Sequence, residues 1–266
     1  MTILDFVLVA LVIVLGYWIV VLKRAARRMV QEEIKKMEDR RSGFVSIISH
    51  QLRTPLSIIK GYIEALVTGD QGQLNDGQKE YLNDALAISQ DSVNLVNDYL
   101  EAVKMDVEQM TLKKERVDLV QLVKSELNKL RPLALASNCE IVFDSAADQA
   151  LTASVDIIKI KQVIENILTN AIKYSRGRGQ AQISLTAKDG QAVFSCHDAG
   201  LGIPKDQQAE LFTKFFRAKN IVHRNTKGSG LGLYLSKIIV EAHGGHIMVA
   251  SQENQGTTVQ FTLPIT

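Results

Sequence analysis

Apolar residues recur every three or four positions along two long stretches of the chain, one from about residue 30 to 67 and one from 76 to 107. Such spacing predicts two amphipathic helices, and the glycine-rich segment between them predicts a tight turn, so the pair should form a hairpin. The repeating positions are Phe44, Ile48, Leu52, Pro55, Ile59, Tyr62 and Leu66 in the first stretch, and Leu82, Leu86, Ser89, Val93, Val96, Leu100 and Val103 in the second. Because one hairpin cannot bury two such wide faces alone, we expect two copies of the chain to pair as a four-helix bundle.

An apolar run from Ile3 to Leu22 precedes the first helix. About 20 helical residues at about 1.5 Å each span roughly the 30 Å hydrocarbon core of a bilayer. Basic residues follow the run directly, at positions 23, 24, 27 and 28, and none precedes it. The positive-inside rule then predicts a single-pass protein of the cell membrane whose carboxy-terminal domains are cytoplasmic. A buried globular helix is the alternative interpretation.

The charge balance argues against a basic nucleic-acid-binding domain. The chain has 31 Lys and Arg against 29 Asp and Glu, and its excess of positive charge lies in residues 23–41, which form a predicted juxtamembrane helical linker. We therefore expect no nucleic-acid partner. The two cysteines, Cys139 and Cys196, are too far apart in sequence for a predicted zinc site, and they do not indicate a disulfide framework.

A histidine lies on the polar side of the first helix. At about 100° per residue, His50 points away from the apolar face, and Thr54 lies beside it one turn further on, with Gln51 adjacent. An exposed histidine is usually only a solvated surface residue, so its position on the helix does not by itself indicate a function.

The pattern changes near residue 113 to shorter helices and strands. Helices are predicted at 118–136 and 156–174, and strands at 140–144, 181–187, 191–197, 246–251 and 257–263, with a tight turn at 188–190. The strands should connect mainly as hairpins, which predicts an α/β layer arrangement and not a doubly wound parallel sheet.

One polar cluster in this region lies on a predicted helix, and another follows a predicted strand. On the helix, Asn166, Asn170 and Lys173 share one face, where amide oxygens and an ammonium group could hold Mg²⁺ and a phosphate, or could simply be solvated. After the strand, Asp198 precedes Gly200 and Gly202, either as a plain turn or as a carboxylate that accepts a hydrogen bond from an adenine amino group.

Two further clusters lie closer to the carboxyl end. The segment 211–217, which includes Phe215, opens a polar stretch that extends to Lys227 and predicts either a mobile loop with an aromatic hinge or a helix end packed on the sheet. Gly228, Gly230 and Gly232 then open a helix, whose unhindered amides and positive dipole end suit a polyphosphate. No βαβ unit accompanies them, so this is not the dinucleotide-binding fingerprint.

Together these motifs resemble those of sensor histidine kinases of two-component systems. The segment Phe44-Val-Ser-Ile-Ile-Ser-His50-Gln-Leu-Arg-Thr-Pro-Leu is similar to their phosphoacceptor box, and the four clusters follow the order of the asparagine, first glycine, phenylalanine and second glycine boxes of their ATPase domain. That domain is an α/β sandwich shared with some gyrases, chaperones and mismatch-repair ATPases. The resemblance covers residues 42–266.

The resemblance implies a role for each cluster in binding ATP and Mg²⁺. Asn170 would bind Mg²⁺ with help from Asn166, and Asp198 would recognise adenine. The implied nucleotide-binding residues are Asn166, Asn170, Lys173, Tyr174, Asp198, Gly200, Gly202, Phe215, Gly228, Gly230, Leu231 and Gly232.

The resemblance also implies a multi-domain organisation. Residues 1–22 would form the transmembrane anchor, 23–41 the linker, 42–112 the dimerisation and histidine-phosphotransfer domain, and 113–266 the ATP-binding catalytic domain. The fold would combine one transmembrane helix, an antiparallel helical hairpin that forms a dimeric four-helix bundle, and an α/β sandwich. ATP would phosphorylate His50, and the phosphoryl group would pass to an aspartate in the receiver domain of a response regulator.

Gln51 departs from the family pattern, which usually has an acidic residue after the histidine. An acid can take a proton from the imidazole, whereas an amide can only accept a hydrogen bond. Two alternatives therefore remain: a weak or phosphatase-biased kinase, in which Thr54 helps orient a water molecule, and a non-catalytic ATP-sensing scaffold.

Overall fold

The computed structural model of the protein describes residues 51–69, 72–107, 110–145, 151–175, 177–222 and 228–265. The predicted anchor at 3–22, the linker at 23–41 and His50 lie outside the described residues. Within those ranges, no helix combines the length and the apolar character needed to span a bilayer.

The helical hairpin contains α1, which runs through residues 51–67, and α2, Asp76–Val107. The bounds of α2 agree with the sequence prediction. Its first turn has a reciprocal cap, in which the Gln78 backbone N–H donates to Asn75 Oδ1 (2.8 Å) and the Asn75 N–H donates to Gln78 Oε1 (3.0 Å). Farther along the hairpin, Arg53 donates through Nε and Nη2 to Asn97 Oδ1, both at 3.1 Å, which fixes the register of α1 on α2.

The apolar face of α1 stays largely uncovered within one chain. Leu52, Ile59, Tyr62 and Leu66 of the predicted repeat are all exposed, and the exposed fraction of Tyr62 reaches 71%. Large apolar side chains in this arrangement favour burial against another surface.

A two-layer α/β domain follows the hairpin. Its main sheet has the strand order β2-β4-β5-β7-β6, in which β2 pairs with β4 in parallel and every other pair is antiparallel. The β4–β5 and β6–β7 pairs are the hairpins that the sequence predicts. The strands are β2 Cys139–Ser145, β4 Gly179–Lys188, β5 Gln191–Asp198, β6 Ile247–Gln252 and β7 Gly256–Pro264. The turn between β4 and β5 uses positive φ at Asp189 (50°) and Gly190 (73°), which matches the twist of a tight hairpin.

A second, two-stranded sheet was not predicted. It pairs β1, Glu115–Asp118, with β3, Thr152–Val155, in antiparallel register. Each of these strands has four residues, which is too short for an alternating pattern to stand out in the sequence.

Helices cover one face of the main sheet. They are α3 Leu119–Ala136, α4 Ile157–Tyr174 and α6 Gly232–Ala242. A 3₁₀ helix at Lys205–Glu210 and the short helix α5, Lys219–Val222, lie between β5 and α6 in the chain. The α3 and α4 N-termini are capped by the side chains of Asp118 and Asp156, which ends the preceding strand or loop at these positions. The core lies between the helices and the sheet, where Phe194 stacks on Phe261 with ring centroids 4.8 Å apart.

A buried histidine joins the end of α6 to the start of α4. His243 Nε2 accepts a hydrogen bond from the Asp156 backbone N–H (2.9 Å), and Nδ1 lies 2.7 Å from the Ile239 carbonyl oxygen. Burial lowers the pKa of His243, and a neutral ring that donates from Nδ1 satisfies both contacts. His243 is therefore a structural residue that ties α6 to α4.

Candidate functional site

A cavity of about 780 Å³ opens between α4, the end of β5, the glycine-rich segment before α6, and α2. It brings together residues from the four polar clusters that the sequence singled out, although these clusters lie on separate elements. The predicted site residues among those that line it are Asn166, Asn170, Lys173, Tyr174, Asp198, Gly202, Gly228, Gly230 and Gly232.

The asparagine cluster is anchored to α6. Asn166 Nδ2 donates to Ser236 Oγ (2.9 Å), and Asn170 Nδ2 donates to Asn166 Oδ1 (3.3 Å) one turn further along α4. Ser236 is 2% exposed and was missed in the sequence analysis. The signal available in the sequence was a serine within the largely apolar stretch of residues 231–240. The chain of three side chains fixes the rotamer of Asn166 and orients Asn170.

The donor set at Asn170 fits Mg²⁺ that enters together with a polyphosphate. With Nδ2 used as a donor, the side chain offers Oδ1 as a hard oxygen ligand. The described ranges hold no cluster of three or more His, Cys, Asp and Glu side chains arranged for a metal. Mg²⁺ commonly keeps several waters and takes phosphate oxygens with only one or two protein ligands, which is what this arrangement allows.

Lys173 and Tyr174 end α4 at the cavity. Lys173 Nζ lies 5.3 Å from the centroid of the Tyr174 ring. Burial lowers the pKa of Lys173, the positive charge of Arg217 lowers it further, and the negative charge of Asp91 on α2 partly opposes this. A partly desolvated ammonium group of this kind gains from an anionic ligand. Gly228 approaches it closely, since a Cβ there would lie 3.1 Å from Lys173 Nζ.

Asp198 is a buried carboxylate at the end of β5, only 7% exposed. Its Oδ1 accepts a hydrogen bond from the Gly200 N–H at 2.9 Å. Burial raises the pKa of Asp198 to about 6, although backbone donors at Gly200 and Thr257 and the nearby His197 act in the opposite direction. Since a carboxylate has about four acceptor positions, Asp198 retains capacity to accept from an amino group in the cavity.

Gly200 and Gly202, after Asp198, lie so close to neighbouring backbone atoms that no side chain would fit there. A Cβ at Gly200 would lie 2.3 Å from the Tyr174 carbonyl oxygen, and one at Gly202, where φ is +60°, would lie 1.9 Å from the Gln252 carbonyl oxygen. The Gly200 contact holds the segment after β5 against the end of α4, and the Gly202 contact holds it against the end of β6, so Asp198 and Tyr174 lie on neighbouring walls of the cavity.

The phenylalanine and second glycine clusters contact each other. Phe215 has φ +62° and its side chain is 56% exposed, while Gly230, with φ +71°, packs so closely that a Cβ would lie 2.7 Å from the Phe215 carbonyl carbon. A Cβ at Gly232 would lie 2.1 Å from Asn166 Oδ1. Leu231 between them is fully buried. The predicted loop after 211 contains the short helix α5, and residues 223–227 of that loop lie outside the described part of the chain.

One wall of the cavity comes from α2. The sequence predicts this helix but not its place in the cavity. Asp91 and Asp98 line the cavity, and Asp98 Oδ2 accepts a hydrogen bond from Ser229 Oγ at 3.0 Å. The Tyr99 ring lies 6.0 Å from the Phe215 ring, centroid to centroid. These residues could not be assigned from sequence because their role depends on how the hairpin and the α/β domain pack.

Gln51 and Thr54 lie outside the cavity lining, on exposed positions of α1. They flank Arg53, whose hydrogen bonds to Asn97 place this turn of α1 beside the part of α2 that contacts Ser229 through Asp98.

Two family models match the chain. Residues 40–108 match the His Kinase A (phospho-acceptor) domain, and residues 155–266 match the histidine kinase-, DNA gyrase B- and HSP90-like ATPase. These ranges place the hairpin in the first family and α4, the cavity-lining loops and α6 in the second.

Curated proteins of similar sequence include sensor kinases. The sensor protein kinase WalK of Staphylococcus epidermidis is 35% identical over 238 residues, and the sensor histidine kinase WalK of Bacillus subtilis is 33% identical over 234 residues. Each alignment covers 87% of this chain but 38% of the relative. The chain thus spans well under half the length of these relatives.

Solved structures share the fold. A full-length ShkA structure in complex with AMPPNP superimposes with a TM-score of 0.71 and 25% identity, and covers 84% of this chain and 46% of that one. The Acinetobacter baumannii histidine kinase AdeS superimposes with a TM-score of 0.57 at 22% identity over 82% of this chain and 98% of that one, which is a likeness of fold.

Proposed function

The chain belongs to the sensor histidine kinases of two-component systems, and from that premise we propose that ATP bound in the cavity phosphorylates His50. The phosphoryl group then passes to an aspartate in the receiver domain of a response regulator. The proposed domain bounds are 1–22, 23–41, 42–112 and 113–266, and the family-model ranges of 40–108 and 155–266 are compatible with the last two.

The observation that supports this proposal is that α1 and the glycine-rich segment both bind to the same turn of α2. Arg53, three residues after His50, binds Asn97, and the neighbouring Asp98 binds Ser229 of the glycine-rich segment. Arg53 of the phosphoacceptor box and Ser229 of the glycine-rich segment therefore contact neighbouring residues of the hairpin. Phosphoryl transfer depends mainly on positioning and charge neutralisation, so this proximity is what the reaction requires.

Different residues around the cavity bind different parts of ATP and its metal ion. Asp198 accepts a hydrogen bond from the adenine amino group, and Lys173 offsets phosphate charge. Asn170, oriented by Asn166, would hold Mg²⁺ through Oδ1, and a bound Mg²⁺ would neutralise charge on the transferring phosphoryl group. Gly230 and Gly232 keep the segment before α6 free of side chains at the places where it touches Phe215 and Asn166.

His50 supplies the nucleophile. A neutral imidazole is a nucleophile that can attack phosphorus directly. Gln51 cannot take the released proton as a carboxylate would, so we expect slow autophosphorylation unless water serves as the acceptor. Thr54 is exposed on α1. A role for its hydroxyl group in orienting a water molecule against a phosphoaspartate would make a phosphatase-biased kinase the second candidate.

The partners follow from the surfaces outside the cavity. The exposed apolar face of α1 supports a homodimer that buries it in a four-helix bundle. The apolar run at 3–22 supports anchoring of the dimer in the cell membrane with the catalytic domain in the cytoplasm.

Incubation with γ-labelled ATP, followed by addition of candidate response regulators, tests the proposal. Label that appears on the chain and then moves to a receiver aspartate supports the kinase. Loss of phosphate from a prephosphorylated regulator, with little label on the chain, supports the phosphatase-biased alternative. ATP binding with neither reaction would support the non-catalytic scaffold and contradict the proposal.

A further inference from the structure

The α2 wall places negative charge inside the proposed nucleotide cavity. Asp91 and Asp98 are seven residues apart and so lie two turns apart on one face of the helix. Both line the cavity, together with the α2 residues Ile88, Ser92, Asn94 and Leu95. Burial raises the pKa of Asp98, the hydrogen bond from Ser229 opposes this, and the charge of Glu101 adds to the rise.

Contacts next to this wall hold the nucleotide domain against α2. The Glu101 carboxylate accepts hydrogen bonds from Gln162 Nε2 (2.6 Å) and from Lys159 Nζ, both on α4. Ala102 is buried in a small cluster with Leu235 of α6 and with Leu231, the residue that precedes α6. These contacts define what we call the docked arrangement, in which α2 closes one side of the cavity.

Asp91 already interacts with the cation that the proposed function assigns to phosphate. Its negative charge raises the pKa of Lys173, while Arg217 acts on Lys173 in the opposite sense. A nucleoside triphosphate brings more negative charge into this space than a diphosphate does. Like charges at short range in a partly desolvated cavity repel strongly.

We propose that Asp91 and Asp98 make the docked arrangement discriminate against nucleoside triphosphates in favour of diphosphates. Binding of a triphosphate and docking of the nucleotide domain on α2 then weaken each other without excluding each other, because a coupling between two equilibria acts equally in both directions. The docked arrangement that the phosphoryl transfer uses is therefore held more firmly once the product diphosphate occupies the cavity. A diphosphate, which lacks the terminal phosphoryl group, leaves the docked arrangement in place. The inference rests on the proposed function, since it takes the cavity as the ATP site.

Calorimetric titration of the full chain with Mg²⁺ and either AMPPNP or ADP tests the charge effect. The double variant Asp91→Asn/Asp98→Asn should bind AMPPNP about ten-fold more tightly than wild type, and ADP by about three-fold at most. The matched control is Asp84→Asn, an exposed aspartate on α2 outside the cavity lining, which should leave both dissociation constants unchanged. Equal changes for both nucleotides, or no change for AMPPNP, would overturn the inference.

The variant Glu101→Ala tests whether the effect of Asp91 and Asp98 on AMPPNP binding depends on docking of the nucleotide domain on α2. Loss of its contacts with Lys159 and Gln162 should free the nucleotide domain and tighten AMPPNP binding without altering a cavity residue. In that background the Asp91→Asn/Asp98→Asn pair should add little, because the two changes act on the same coupling. Full additivity would contradict docking as the cause. Failure of the wild-type chain to bind either nucleotide would instead refute the ATP site, and the inference with it.

Discussion

Replacing Asp198 by asparagine should change the stability of the fold in a pH-dependent way. Burial raises the carboxyl pKa of Asp198 to about 6, from an ordinary value of 3.8. The native state therefore holds this proton more tightly than the unfolded chain does. The stability that the protonated carboxyl contributes is fully present below the unfolded pKa and is lost as the pH rises through about 6.

The two pKa values set the size of the effect. Between about pH 5 and about pH 7.5, linkage gives a loss of about 1 kcal/mol in the wild-type unfolding free energy from this group. Asparagine does not titrate, so the variant escapes that loss. The unfolding free energy of Asp198→Asn relative to wild type should thus be about 1 kcal/mol more favourable at the higher pH than at the lower. A weakened hydrogen bond to the Gly200 N–H would cost the same at both pH values and cancels.

Urea unfolding followed by circular dichroism at the two pH values measures this difference. The same variant should also bind ATP more weakly, because an amide that turns its NH₂ group toward the adenine amino group loses the hydrogen bond that a carboxylate accepts. A variant-minus-wild-type difference that is the same at both pH values would refute the assignment of Asp198 as a buried carboxylate with a raised pKa.

Three further substitutions test the cavity and the phosphoacceptor helix. Asn170→Ala should weaken Mg²⁺–ATP binding through loss of a hard oxygen ligand, and an unchanged dissociation constant in the presence of Mg²⁺ would make this residue structural. Gly232→Ala should strongly impair ATP binding, because its Cβ would lie 2.1 Å from Asn166 Oδ1, whereas Gly61→Ala, with no atom within 4 Å, should bind as wild type does in the same titration. Gln51→Glu should raise the autophosphorylation rate about ten-fold or more with ATP affinity unchanged, and an equal or lower rate would reject the proton-acceptor explanation.

The helices that position the site were predictable because their signals are local. The α2 bounds follow from an apolar repeat and from the Asn75 and Gln78 side chains that cap its first turn. The α4 face that carries Asn166 and Asn170 follows from helical periodicity. The hairpin between β4 and β5 follows from the Asp189-Gly190 turn.

The convergence of the four clusters on one cavity was expected only through the family resemblance. Nothing in the spacing of residues 166, 198, 215 and 230 fixes their distances in space, because loops and strands of different length separate them. The α2 wall was not anticipated at all. In the sequence, Asp91 and Asp98 cannot be told from solvated helix positions. In the structure, contacts of Glu101 and Ala102 bring the nucleotide domain against them.

Transfer of the γ-phosphoryl group of ATP to His50 is the most direct measurement of the central claim. The full chain and its His50→Ala variant would be incubated with γ-labelled ATP, and the label would be characterised by its stability in acid and alkali. We expect acid-labile, alkali-stable label on the wild-type chain and none on the variant, with ATP affinity equal in both. Alkali-stable label that persists on the variant, or ATP binding without label on the wild-type chain, would contradict the assignment.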